Sequence, residues 1–226
     1  MDENNLVYKA AKLLMEEFNI ESGLSINLKK NIPVAAGMAG GSSDAAAVLV
    51  GVNKIFGFNL SKKDLMERGV KLGADVPYCV MRGTALAEGI GEVLTPLSPM
   101  PDCYILVAKP HISVSTAFVY KNLKLDTIEK HPDVDKVAEC IAAGDIEGVA
   151  CSMDNILETV TVPAYPVIND LKVMMKENGA LNSMMSGSGP TVFGIFNDKE
   201  KAESAYAIVE KSGLARQLFL TKPFNV

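Results

Sequence analysis

Two stretches carry residue types and spacings that can do chemistry. The first is Pro33-Val-Ala-Ala-Gly-Met-Ala-Gly-Gly-Ser-Ser-Asp-Ala-Ala-Ala47, a loop of small residues running into a helix. Its glycines let the backbone come close to a ligand. Ser42 or Ser43 is the natural N-cap, and the amides behind it have no partner inside the helix. With the positive end of the helix dipole, those donors make an anion site. A dipole contribution of about 0.3–1 kcal/mol is too small to hold a phosphate alone, so several amides and hydroxyls must act together. The loop lacks the lysine of G-x-x-x-x-G-K-[ST] and does not read G-x-G-x-x-G; a loop of this composition also serves tight helix packing. The second stretch is Lys71-Leu-Gly-Ala-Asp-Val-Pro-Tyr78. On residue type alone, Asp75 reads first as a turn residue before Val76-Pro77. Its carboxylate is also able to accept a hydroxyl proton.

Pro33 to Ala47 resembles the phosphate-binding motif of the GHMP kinases. Two further segments extend the likeness. Lys71 to Tyr78, followed by Gly83-Thr-Ala-Leu-Ala-Glu-Gly-Ile-Gly-Glu92, is similar to one branch of that family, and Ser186-Gly-Ser-Gly-Pro-Thr-Val192 resembles its glycine-rich third motif. The three occur in the family's order, and the likeness covers essentially the whole chain. The resemblance implies an ATP-dependent kinase of a small-molecule alcohol, with Mg2+. From Gly-Ala-Asp-Val-Pro and Ala87-Glu-Gly-Ile-Gly91 it implies the 2-hydroxyl of 4-diphosphocytidyl-2-C-methyl-D-erythritol as acceptor, in the non-mevalonate route to isoprenoid precursors. Acceptors of the homoserine or mevalonate type stay open, and so does a catalytically silent nucleotide-binding protein.

Under that resemblance Asp75 is the catalytic residue, taking the substrate proton. ATP would lie along Pro33, Val34, Ala35, Ala36, Gly37, Met38, Ala39, Gly40, Gly41, Ser42 and Ser43, with Asn5 and Lys30 lining the adenine pocket. Ser43 would reach a Mg2+ carried by the nucleotide. Ser113-Val-Ser-Thr-Ala-Phe-Val-Tyr120 is similar to a substrate-holding segment, in which Thr116 would donate a hydrogen bond and Tyr120 would stack on cytosine, as aromatic faces stack on bases. Gly187, Ser188 and Gly189 would position phosphate, although a strand-to-strand turn calls for similar residues. The family's first motif, with a lysine and a Gly-Tyr-His, has no counterpart in this sequence. Met1-Asp-Glu-Asn-Asn-Leu-Val-Tyr8 resembles a point inside the family's N-terminal domain. The expectation is therefore an N-terminally truncated chain, without its opening strands and weak or inactive as a kinase by itself.

Composition agrees with a small-molecule enzyme. Of 226 residues, 48% are hydrophobic, which supplies ample core, and the net charge of −5 leaves no basic footprint for nucleic acid or an anionic membrane. No apolar run approaches the ~18 residues needed to span a bilayer. Asp2, Glu3, Glu16 and Glu17 are unlike a targeting leader. Cys79, Cys103, Cys140 and Cys151 show no close pairing and read as reduced thiols of a cytoplasmic protein. His111 and His131 are too isolated for a metal site. Oligomeric state is not set by these features.

The elements that must position the two stretches follow from periodicity. Leu6, Ala10, Leu13, Leu14 and Phe18 mark a first helix, and Leu24-Ser-Ile-Asn-Leu28 alternates like a strand. A helix follows the glycine loop to Gly57; Ser61 and Asp64 open another that Gly73 can end. Val80 to Met81 and Thr84 to Glu88 have strand character, with a turn at Gly89-Ile-Gly91. Pro96, Pro99 and Pro101 suggest a boundary, giving domains at 1–101 and 102–226. Beyond it the spacing predicts a strand over 103–108, helices over 116–123, 134–143, 146–153 and 167–178, and strands over 183–185 and 192–196. A helix over 199–212 and a strand over 217–221 complete the order, which suits a ferredoxin-like split βαβ unit. The fold class expected is α+β. The resemblance implies a ribosomal-protein-S5-domain-2-like fold, incomplete, for the first domain.

Overall fold

Helical stripes and short β-rich runs sort into two units in the computed structural model, which describes residues 3–124, 126, 128 and 131–226. The first unit runs to Val34, resumes at Ala39–Pro96 and takes in Val226; the second comprises Ala35–Met38 and Leu97–Asn225.

In the first unit α1 (Leu6–Glu17) lies against α2 (Gly40–Phe56). Ala10 and Leu14 on one helix, with Ala45, Leu49 and Val52 on the other, form buried stripes of helical period. α3 (Lys62–Gly69) opens with the expected capping box, in which the Asp64 N–H donates to Ser61 Oγ and the Ser61 N–H to the Asp64 carboxylate. α4 (Val76–Met81) follows, and Leu65, Val76 and Val80 join the same core. β1 (Ala85–Glu88) and β2 (Val93–Pro96) pair as an antiparallel hairpin, Glu88 opposite Val93.

In the second unit β3 (Tyr104–Pro110), β4 (Asn182–Met185), β5 (Val192–Phe196) and β6 (Ala215–Thr221) form an antiparallel sheet in the order β4-β5-β3-β6. Its first and third strands are central, the arrangement of a ferredoxin-like unit. α9 (Val167–Glu177) and α10 (Lys199–Ser212) supply Ile168, Leu171, Met175, Ala202, Ala205 and Val209 to a core shared with Leu106, Ala108, Val192 and Phe196. α5 (Thr116–Asn122), α6 (Val134–Ala143), α7 (Ile146–Ser152) and α8 (Glu158–Ala164) occupy the connection from β3 to β4. Among the described residues no helix is long and apolar enough to cross a membrane.

Three local expectations are corrected, and one helix was not expected. Residues 24–28 keep the expected alternation, with Leu24, Ile26 and Leu28 half-buried and Ser25 and Asn27 exposed. They form no strand, because among the described residues no ladder partner pairs with them. Val80 and Met81 belong to α4, not to a strand; Pro77, whose fixed φ suits a first helical turn, starts a helix that buries Val76 and Val80 four residues apart. α3 ends at Gly69, not Gly73: beyond it the chain continues in turns, the Leu72 and Gly73 N–H groups both donating to the Gly69 carbonyl, and Gly69 has no Cβ to meet the Val76 side chain, which would stand 2.9 Å away. α8 was not expected, because Pro163 reads as a helix breaker; it stands inside the helix, forgoing one backbone bond.

Candidate active site

The small-residue loop is built on alternating backbone handedness. Ala35 (φ 51°), Gly37 (φ 68°) and Ala39 (φ 47°) are left-handed, and Ala36 and Met38 between them are not. Such alternation gathers successive amide N–H groups into an anion-binding nest. For an alanine the left-handed region costs about 1–2 kcal/mol, and strain of that kind persists only where the surroundings impose it. α2 then starts at Gly40, earlier than the serines. Ala39 stands at the N-cap with no side-chain hydrogen bond, and the Ser43 N–H already donates to the Ala39 carbonyl at 2.8 Å. The expectation of a Ser42 or Ser43 cap is thus corrected: the left-handed Ala39 begins the helix early, and both serines fall in its first turn. The start of α2 therefore has no side-chain cap, and neither hydroxyl is spent on capping.

Residues 186–189 hold the first half of this loop. Ser186 Oγ donates to the Gly37 carbonyl at 2.8 Å. A Cβ on Gly37 would lie 2.3 Å from the Ser186 carbonyl oxygen and 3.2 Å from that of Gly189. Only glycine permits that approach. Ser188 is buried, its Oγ 2.9 Å from Thr116 Oγ1 at the start of α5. Thr116 and Tyr120 stand one helical turn apart, on one face, and Tyr120 is 62% exposed. Asn155 Nδ2 donates to the carbonyls of Met185 at 2.8 Å and Gly187 at 2.9 Å. Sequence reasoning missed Asn155: its partners are about thirty residues away along the chain and no local pattern marks it. The second unit thus brings together Ala35–Met38, residues 187–189 and Thr116.

In the first unit Asp75 stands at the N-cap of α4, exposed and making no capping hydrogen bond. The hairpin turn comes up beside it: an ideal Cβ on Gly91 (φ 111°) would be 3.9 Å from Asp75 Oδ1 and from the Ala74 carbonyl. Burial pushes the Cys79 thiol up to about 11, with the Asp75 charge adding to it, so this cysteine is protonated and inert near neutral pH. Tyr78 donates to the Gly83 carbonyl at 2.8 Å, and burial raises its hydroxyl above the ordinary value.

Lys30 is engaged by Asp44, which follows the two serines, and Asn5 caps α1 through its Oδ1, accepting from the Val7 N–H at 2.9 Å. Pro33 is buried, whereas Val34 is 70% exposed. Gly40 also serves packing, since a Cβ there would meet Ile32 Cγ2 at 2.8 Å. Among the described residues no group of three or more His, Cys, Asp or Glu side chains is arranged to hold a metal ion.

Comparison with known proteins gives one answer from several directions. The GHMP kinases N terminal domain matches residues 5–83, and GHMP kinases C terminal matches residues 123–214. The 4-diphosphocytidyl-2-C-methyl-D-erythritol kinase of Lachnoclostridium phytofermentans is 55% identical over 99% of this chain and 77% of its own length. That of Lachnospira eligens is 53% identical over 100% of this chain and 78% of its own. Among solved structures, a 4-(cytidine 5'-diphospho)-2C-methyl-D-erythritol kinase superposes with a TM-score of 0.83 at 30% identity, covering 97% of this chain and 78% of that one. A homoserine kinase from Cytophaga hutchinsonii shares the fold, with a TM-score of 0.82 at 22% identity over 99% of this chain and 76% of that one.

Replacing Gly37 by Ala is expected to weaken ATP binding at least tenfold by isothermal titration calorimetry, because the methyl group displaces the loop from residues 186–189. Gly51→Ala, in mid-α2 with nothing within 4 Å of the added Cβ, is expected to bind as the parent does. Parental affinity in Gly37→Ala would contradict the loop's role.

Proposed function

This chain belongs to the GHMP kinases, and we propose that it transfers the γ-phosphoryl group of ATP to the 2-hydroxyl of 4-diphosphocytidyl-2-C-methyl-D-erythritol, in the non-mevalonate route to isoprenoid precursors. The observation that carries the reading is the run of left-handed residues at 35, 37 and 39 leading into the side-chain-uncapped start of α2. It is an anion site in a chain whose relatives carry that activity in their names.

Phosphoryl transfer asks the protein mainly for positioning and charge stabilisation. The amides from Ala35 to Ser42 would take the phosphate oxygens, with the Ser42 and Ser43 hydroxyls beside them; one well-placed donor is commonly worth about 3–4 kcal/mol in a transition state. Val34, Asn5 and Lys30 would flank the adenosine, Lys30 staying paired with Asp44. Mg2+ suits the site only as a cation carried by ATP, since no acidic cluster stands among the described residues; Ser43 Oγ would add one oxygen ligand, and the ion would neutralise phosphate charge. Asp75 accepts the proton of the attacking hydroxyl, a contribution typically of about 10²–10⁴ in rate. Thr116 would hydrogen-bond the acceptor, Tyr120 would stack on cytosine, and Gly187, Ser188 and Gly189 would steady phosphate groups. We take residues 1–101 and 102–226 as the nucleotide-binding and C-terminal domains. We read the location as cytoplasmic, where ATP is supplied and thiols such as the four here stay reduced.

With protein in excess over γ-labelled ATP, label is expected to pass to 4-diphosphocytidyl-2-C-methyl-D-erythritol and not to homoserine or mevalonate. Label on either of those would overturn the assignment. Asp75→Asn keeps the side chain's size and loses its basicity, so transfer should fall about 10²-fold or more with ATP affinity little changed. Near-parental transfer would return Asp75 to the role of a turn residue.

A further inference from the structure

We infer that Asn155 is a positioning residue for the phosphate loop, acting through residues 186–189; the inference rests on the kinase reading and assigns it a residue outside the motifs. Both amide hydrogens of Asn155 are spent on the chain that leads into the turn, at the carbonyls of Met185 (2.8 Å) and Gly187 (2.9 Å). Its Oδ1 accepts from the Leu157 N–H at 3.0 Å. With three bonds made, the amide has one orientation, and it grips two carbonyls two residues apart.

Glu158 completes the grip. Its Oε1 accepts from the Met185 N–H at 2.7 Å, and its other carboxylate oxygen pairs with Lys172. The Lys172 carbonyl in turn accepts from Ser183 Oγ at 2.8 Å. Met185 is therefore fixed on both of its backbone polar groups, the N–H by Glu158 and the carbonyl by Asn155. The turn beyond it closes on itself: the Ser186 N–H donates to the Thr191 carbonyl at 2.8 Å, and the Gly189 N–H to the Ser186 carbonyl at 2.9 Å.

What this turn presents outward is the Ser186 hydroxyl on the Gly37 carbonyl, and the Ser186 carbonyl against the Cα of Gly37. Gly37 is the middle of the three left-handed residues. A turn free to shift by a few tenths of an ångström would no longer hold that backbone handedness, and the amides that gather on an anion would disperse. Asn155 itself lies next to Gly187, so it reaches the loop only through the turn. Its two long-range bonds go to carbonyls of the turn and its approach, whereas the bond to Leu157 is local.

The isosteric Asn155→Asp separates these two kinds of bond. It keeps an acceptor for the Leu157 N–H and loses both donors. Calorimetry well below the melting temperature is expected to show ATP affinity falling tenfold or more. Hydrogen exchange is expected to speed up at the amides of Ala35–Met38 as well as at residues 186–189. A purely structural role would lower the melting temperature and leave both readouts at their parental values, which would overturn the inference while the parent's ATP binding keeps the kinase reading. If Asn155→Asp does not fold, exchange in the parent decides. Adding ATP should protect residues 186–189 together with Ala35–Met38, and protection confined to Ala35–Met38 would overturn the inference. A parent that binds no ATP would overturn the kinase reading, and this inference with it.

Discussion

No side chain fits at residue 37. A carbonyl oxygen occupies the place of its Cβ, 2.3 Å from where that atom would stand, and a hydroxyl from the same residue, Ser186, closes on its carbonyl. This is a steric constraint with a conformational result. The backbone at 37 is left-handed, a conformation open to glycine, and the alanines at 35 and 39 are left-handed with it. Two alanines in that region would relax in a mobile loop, since each gains about 1–2 kcal/mol by doing so. The contact with residues 186–189 holds the first half of the loop, and the onset of α2 at Gly40 fixes the second.

The proposed anion site is made of backbone. A lysine on a flexible stem would bring a full charge at an entropic cost, whereas amides locked by the fold are already oriented and need no reorganisation when charge develops. The nearby charges fit this scheme. Lys30 is engaged by Asp44, so the two side chains largely cancel beside the loop. Beside Asp75, burial pushes the Cys79 thiol up to about 11, and the Tyr78 hydroxyl is raised above its ordinary value. Asp75, proposed above as the base, is exposed, with the hairpin turn at Gly91 beside it.

Much of this was legible in the sequence, for definite reasons. Gly37 and its neighbours announced a close approach of backbone because only small residues occur there, and Ser61 with Asp64 announced a helix start because the capping box is a local interaction three residues long. The strands and helices of the second unit followed from periods of 2 and 3.6 that the core enforces. Failures fell where a distant partner decides. Residues 24–28 carry the alternation of a strand, yet among the described residues nothing pairs with them. Val80 and Met81 looked β-like until their spacing from Val76 was set against Pro77. Ala39 displaced the serines from the N-cap through a left-handed backbone that an alanine does not advertise. Asn155 was invisible for the same reason, its meaning residing in carbonyls far along the chain.

The central claim is that the backbone between Ala35 and Ser42 receives the phosphates of ATP. A crystal structure with a non-hydrolysable ATP analogue tests it most directly. The account predicts phosphate oxygens within about 2.7–3.2 Å of several amide nitrogens of that segment, with residues 35, 37 and 39 still left-handed and Ser186 still donating to Gly37. Phosphates bound away from these amides, or a loop that abandons its left-handed residues to receive them, would contradict it.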